Sequence, residues 1–172
     1  MLKDVADYLL PNKISHEIIV VNDGSKDYTS GVALKEAQKL KLNLVVVEYP
    51  KNRGKGGAVR AGMSLVRGQY ALMVDADGAT TFRELEHVWN KLEELKKSNE
   101  LVMVVGSRRM AEEGKVERKW YRKFISFVFK MVITIILGIR SQDTQCGFKL
   151  FTKQAASTLF KTLHIERFAF DV

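Results

Sequence analysis

Cysteine is almost absent: Cys146 stands alone in the 172-residue chain. An internal disulfide is therefore excluded, and a reducing compartment is compatible with the sequence. Cys146 itself reads as a small buried group rather than a nucleophile. Proline is nearly as scarce, with Pro11 and Pro50 only, and no Ser/Gly-rich or charge-block segment divides the chain. With no linker and no internal repeat, one globular domain is expected. The three histidines, His16, His87 and His164, lack metal-ligand spacing, and no Ser/His/Asp or Cys/His set is visible. No secretory leader opens the sequence; the first ten residues read as an amphipathic helix with Leu2, Val5, Ala6, Leu9 and Leu10 on one face. Nor does any apolar run reach the ~20 residues of a spanning helix. The strongest, residues 124–139, covers 16 positions and includes Lys130. It suits a core helix or one lying in a membrane interface, with Lys119, Arg122 and Lys123 ahead of it to meet anionic headgroups.

Negative charge is also in short supply: 28 Lys and Arg against 20 Asp and Glu leave a net charge of +8. Such an excess implies an anionic partner, whether nucleic acid, a phosphate-bearing substrate or an acidic membrane surface. An RNA-binding sheet would interleave aromatics with basic residues. The strands expected here are aliphatic, so nucleic acid ranks last.

What the chain does contain is an alternation of short β-branched runs, at 17–21, 44–49, 70–74 and 101–105, with helical patterns between them. That order predicts a parallel α/β sheet. Runs such as Ile18-Ile19-Val20-Val21 are apolar without alternation, as expected of strands covered by helices on both faces. In such sheets ligands gather beyond the carboxyl ends of the strands. Four polar loops fall there: Asn22 to Asp27, Lys51 to Gly57, Asp75 to Gly78, and Gly106 to Arg109.

Asp75 and Asp77 flank one residue, and Gly78 permits a turn that lets both carboxylates face one ion. Oxygen-only ligands suit Mg²⁺ or Mn²⁺, with a substrate diphosphate completing the shell; two solvated aspartates in a loop are the plainer reading. Asp23 can accept a hydrogen bond from a ring N–H of a base, with Gly24 allowing close backbone approach and Ser25 beside it. Alternatively, Asp27 or Ser25 caps the helix that starts near Tyr28-Thr29. The run from Asn52 to Gly57 fits neither familiar phosphate motif. Counted from Gly54 and Gly56, a Gly-x-Gly-x-x-Gly pattern ends on Val59, and a P-loop lacks Gly at position 49 and Ser or Thr at 56. What remains is a glycine-rich helix start whose N–H groups, with Arg53 and Lys55, favour phosphate. Close helix-to-sheet packing by Gly56, Gly57, Ala58 and Ala61 is the other use for those small residues. Arg108 and Arg109 could clamp a second phosphate.

Taken in order, Val21-Asn22-Asp23-Gly24-Ser25, Asn52-Arg53-Gly54-Lys55-Gly56-Gly57-Ala58, Asp75-Ala76-Asp77-Gly78-Ala79-Thr80, Gly106-Ser107-Arg108 and Asp143-Thr144-Gln145-Cys146-Gly147-Phe148-Lys149-Leu150-Phe151 resemble family 2 glycosyltransferases of the GT-A fold. The likeness runs from about residue 16 to residue 172. Within the family it is strongest to members that glucosylate dolichyl phosphate. The resemblance implies a mostly parallel GT-A sheet flanked by helices, and inverting transfer of glucose from UDP-glucose to dolichyl phosphate for N-glycan precursor assembly. It places this at the cytosolic face of the endoplasmic reticulum membrane, with Mg²⁺ or Mn²⁺ as cofactor.

Carried over by position, Asp23 contacts the uracil, Asp75 lies on the ribose or metal side, and Asp77 binds the metal bridging the diphosphate. Arg108 stands near the acceptor phosphate, assisted by Arg122 and Ser126. Asp143 and Gln145 fall in the loop that closes over the sugar, and Asp171 occupies the place of a catalytic carboxylate. Family members begin with an additional strand and continue past residue 172, so residues 1–172 are expected to form a single but incomplete domain. Ala79, where mannose-transferring relatives carry a further Asp-x-Asp-x-Gln residue, leans away from mannosyl transfer. The competing expectations are a non-catalytic nucleotide-sugar and membrane-binding module, a polyprenyl-phosphate transferase using another sugar, and, lowest, a receiver-type signalling domain.

Overall fold

A computed structural model describes residues 1–106 and 146–167. Helix α1 (Leu2–Leu9) leads to strand β1 (Ile18–Asn22), helix α2 (Thr29–Leu40), strand β2 (Leu44–Glu48), helix α3 (Lys55–Ser64) and strand β3 (Tyr70–Val74). A 3₁₀ turn (Phe82–Glu84) then runs into helix α4 (Leu85–Lys96), followed by strand β4 (Met103–Val105). Strand β5 (Phe148–Thr152) and helix α5 (Lys153–Lys161) close the described part. Residues 107–145 and 168–172 lie outside it, and with them Arg108, Arg109, Arg122, Ser126, Asp143, Gln145, Asp171 and the apolar stretch 124–139.

The described strands form two sheets. β1 and β2 pair in parallel, Ile18 opposite Leu44 through Asn22 opposite Glu48. In the second sheet β5 lies between β3 and β4 and runs antiparallel to both, with Val74 opposite Phe148 and Val105 opposite Lys149. The expected α/β alternation is present, with parallel pairing between β1 and β2 and antiparallel pairing at β5. β5 falls at the end of the Asp143 to Phe151 motif, where Lys149 interrupts the apolar run and masks the strand pattern. β3 and β4 still point the same way, each being opposed to β5. Their carboxyl ends therefore share one edge.

Alternation of faces explains the packing of the second sheet. Leu72, Phe148 and Leu150 turn toward α4 and join Phe82, Leu85, Val88 and Leu92 in the main core. Phe148 meets Phe82 edge-on at 6.3 Å between centroids. Ala71, Met73 and Phe151 turn to the other face and meet Val59, Met63 and Val66 of α3 and Ala156 and Phe160 of α5. Thr152, buried at the end of β5, caps α5 by accepting from the Ala155 N–H at 3.3 Å.

The first sheet is less deeply covered than its sequence suggested. Val45 remains 48% exposed, so apolar character in β2 does not mean burial on both faces. β2 has β1 as its neighbour and no described strand beyond, which leaves it an edge. Helix α1 ties the two halves together, as its hydrophobic spacing required. Val5 and Leu9 enter the main core, while Ala6 packs with Ala37 and Leu42 beside β1. Leu10, expected on the same face, lies past the helix end and is exposed.

Candidate functional site

Because Asn22 and Glu48 are partners in the ladder, the loops after β1 and β2 leave the sheet side by side. Asn22 is buried and anchors this end. Its amide donates to Ser30 Oγ at 2.7 Å and Glu48 Oε1 at 3.2 Å, while its Oδ1 accepts from the Ser25 N–H at 2.9 Å. The chain can then turn through Gly24 at φ +72°, where a Cβ would come within 2.7 Å of the Asn52 backbone nitrogen. Asp27 does not cap the helix as expected: the N-cap is Tyr28, without a side-chain cap bond, and Asp27 Oδ1 accepts from the Thr29 N–H at 3.2 Å in a turn just ahead of it.

The close approach delivers Asp23 to the second loop. Its two carboxylate oxygens accept the backbone N–H groups of Arg53 and Gly54, at 2.7 and 2.8 Å, and the Asn52 amide donates to its carbonyl at 3.1 Å. Asp23 is thus first a brace for the 52–54 loop. Each oxygen keeps a further lone pair with which to accept from a ligand.

Asp75, following β3, lies on the same edge. Its Oδ2 accepts from Lys55 Nζ at 2.7 Å, an ion pair that joins α3 to the end of β3. Its backbone N–H donates to the Gly147 carbonyl at 2.8 Å, and the Gly106 N–H donates to the Phe148 carbonyl at 2.8 Å. Gly147 lies so close to Asp75 that a Cβ there would fall 2.1 Å from Oδ2. Asp77 is exposed, and its Oδ1 accepts from the Ala79 N–H at 2.9 Å, closing a tight turn. Gly78 takes φ +73° in that turn with no atom within 4 Å of where its Cβ would be, so the turn opens onto free space.

Among the described residues no group of three or more His, Cys, Asp or Glu side chains is gathered as a ready-made metal cage. Asp75 and Asp77 nevertheless fit a hard divalent cation that draws its remaining ligands from phosphate oxygens and water. The donors are carboxylate oxygens, Asp77 is open to solvent, and a cationic group already pairs with Asp75.

The glycine-rich start of α3 is used differently from either expectation. Gly56 and Gly57 are buried, but against the chain segment after α5 rather than against the sheet. The Gly57 N–H donates to the Glu166 carbonyl at 2.9 Å. Arg53, expected to face phosphate, forms an ion pair with the Glu166 carboxylate and lies over the Tyr49 ring at 5.2 Å. Its pairing holds the Glu166 carboxyl below the ordinary glutamate range and raises the arginine further. Close helix-to-sheet approach occurs farther along α3, at Gly62, whose Cβ would lie 3.3 Å from Val21 Cγ2.

Asp23, Gly24, Ser25, Arg53, Lys55, Asp75 and Asp77 are therefore brought to one edge. Gly147 and Glu166 belong to the same constellation but were not picked out from sequence. Glu166 lies 113 positions from its partner Arg53, a separation at which no local pattern signals a contact.

The glycosyl transferase family 2 profile matches residues 1–160. The human dolichyl-phosphate beta-glucosyltransferase is 45% identical over 161 residues, covering 92% of this chain and 50% of its own length. The Trichomonas vaginalis protein ALG5D, of the same name, is 42% identical over 99% of this chain and 54% of its own. The Saccharomyces cerevisiae enzyme of that name is 37% identical over 100% and 55%. The chain spans about half the length of the curated relatives it matches. With the acidic loops after β1 and β3 and the glycine-rich loop after β2 brought together, and a profile match over nearly all of its residues, the chain belongs to glycosyl transferase family 2.

Proposed function

We propose that this chain forms the donor-binding part of an inverting transferase that moves glucose from UDP-glucose to dolichyl phosphate, releasing UDP. The observation that carries the reading is the convergence of Asp23, Lys55, Asp75 and Asp77 at the shared edge, in the order the family places them. The names borne by the relatives supply the substrate class.

In the transfer, a phosphate oxygen of the lipid attacks the anomeric carbon as the bond to the UDP diphosphate breaks. The nucleophile is already anionic, so the reaction needs positioning and neutralisation of the leaving group more than a strong base. Asp23 offers its remaining lone pairs to a uracil N–H. Asp75 and Asp77 would hold Mg²⁺ or Mn²⁺, which supplies charge neutralisation at the diphosphate. Lys55 adds a fixed positive charge at the same place and holds the Asp75 carboxylate in a defined direction. Asp143 and Asp171 remain assigned by resemblance, to the loop that closes over the sugar and to the place of a catalytic carboxylate. Arg108, Arg122 and Ser126 are likewise assigned to the acceptor phosphate. The acceptor is lipid, so the reaction belongs at a membrane surface, in this reading the cytosolic face of the endoplasmic reticulum. The basic surplus of the chain suits an anionic headgroup layer. Among the described residues no helix is long and apolar enough to cross a membrane.

The test supplies the full chain with UDP-glucose or GDP-mannose, dolichyl phosphate in mixed micelles, and Mn²⁺ or Mg²⁺. Formation of glucosyl lipid from UDP-glucose, abolished by chelator, is expected. Mannosyl lipid from GDP-mannose with no glucosyl product would overturn the substrate assignment.

A further inference from the structure

The segment that follows α5 crosses the first turn of α3 and is held there by four contacts. The Gly57 N–H donates to the Glu166 carbonyl at 2.9 Å, and Arg60 Nη1 donates to the Leu163 carbonyl at 3.0 Å. The Glu166 carboxylate pairs with Arg53 and lies 3.9 Å from Arg60 Nη2. The helix start is shaped for this occupant. A Cβ on Gly54 would fall 2.7 Å from the Glu166 carbonyl oxygen, and one on Gly56 2.3 Å from that of Ile165. Both obstacles are backbone atoms, which cannot swing aside as a flexible side chain could. The glycines therefore serve chain-to-chain approach at this end of α3.

The stretch so clamped is the one that builds the donor site. Arg53 and Gly54 give their N–H groups to Asp23, and the next residue, Lys55, reaches Asp75. Gly54 sits at φ +91°, a value glycine takes no more readily than a negative one, so its own backbone preference does not fix the entry of the loop into the helix. We infer that Glu166 is a positioning residue of the donor site: by seating residues 163–167 on α3 it fixes residues 52–55, and through them the directions of Asp23 and Asp75. The inference rests on the reading of that edge as a donor site. Glu166 touches neither carboxylate itself; it acts through Arg53 and the backbone.

Hydrogen exchange of the full chain tests the clamp without reference to turnover. Glu166→Lys sets a third cation against Arg53 and Arg60, and amides 54–57 are expected to exchange about tenfold faster, with amides of β3 and β5 unchanged. Unchanged exchange at 54–57 would overturn the inference. In donor kinetics the same variant is expected to raise the UDP-glucose KM about five- to tenfold with kcat altered less than about twofold. Glu166→Gln, which still accepts from Arg53, should restore KM to within about twofold of wild type. An unaltered KM, or a loss confined to kcat, would also count against positioning. Should the wild-type chain turn over no UDP-glucose, the proposed function falls, while the exchange measurement still decides the role of Glu166.

Discussion

Replacing Gly147 by alanine should disable the proposed donor site while leaving the fold intact. The new Cβ would lie 2.1 Å from Asp75 Oδ2, 2.2 Å from Cγ and 2.8 Å from Cβ. Ordinary contact begins near 3.4 Å, so the carboxylate oxygen must retreat by more than 1 Å. The backbones cannot separate freely, because the Asp75 N–H is bonded to the Gly147 carbonyl at 2.8 Å and β3 and β5 pair from Val74 and Phe148 onward. Turning the Asp75 side chain, which breaks its pairing with Lys55, relieves the Oδ2 and Cγ contacts, and a small backbone shift must relieve the 2.8 Å contact to Cβ. That ion pair is partly exposed and contributes about 0–1 kcal/mol to stability. Overpacking adds about 1–3 kcal/mol, so a fall of the urea midpoint by roughly 1 M is expected at the m-values usual for small domains. The functional effect is larger, since misplacing a site group by about 1 Å lowers turnover roughly 100-fold. Gly106→Ala is the control: its Cβ would meet the Phe148 carbonyl oxygen at 3.2 Å, which a small adjustment accommodates. Urea denaturation followed by circular dichroism, together with calorimetric titration of UDP in Mn²⁺, separates the two effects. A Gly147→Ala protein that binds UDP as tightly as wild type would refute the reasoning that Asp75 must keep its present direction.

Three further outcomes are expected. Asp77→Asn should abolish the Mn²⁺ dependence of UDP binding, measured by titration with and without chelator, while leaving the urea midpoint within about 0.5 kcal/mol of wild type, as for a surface substitution. Leu92→Ala empties a fully buried position of the main core and should lower stability by about 2–5 kcal/mol without changing UDP affinity, checked by denaturation and titration together. Hydrogen bonds from Arg67 hold the Glu17 carboxyl below its ordinary value near 4.5, and Arg53 does the same for Glu166. A depressed folded-state value means the stabilisation is complete above that ordinary value and is lost as pH falls through the lower, folded one. Urea midpoints should therefore decline on acidification below about pH 4.5, less steeply in Glu17→Gln than in wild type.

The elements and the acidic loops were legible because both are local. Ile18 to Val21 and Leu44 to Val47 declare strands by composition, and helix α1 by spacing. Asp75-Ala76-Asp77-Gly78 declares a turn at a strand end. Pairing was not legible. Phe148 to Thr152 carries Lys149 at a buried position, which hides a strand from any reading based on polarity, and nothing local says that it runs antiparallel between β3 and β4. The glycines of residues 54–57 were visible, but their purpose depended on Glu166, far along the chain. At Glu166, Gly147 and β5 a long-range contact decides, and no local pattern announces it.

That dependence has a consequence for biosynthesis. Arg53 meets Glu166, and Asp75 meets Gly147, so both halves of the acidic edge wait for chain made much later. A nascent polypeptide can form the β1–β2 ladder early, since its strands are close in sequence. It cannot close the edge until residues 147–166 have left the ribosome. Assembly of the proposed donor site is thereby deferred to the end of synthesis of this region, and a chain stalled before that point would carry the acidic loops without their mutual geometry.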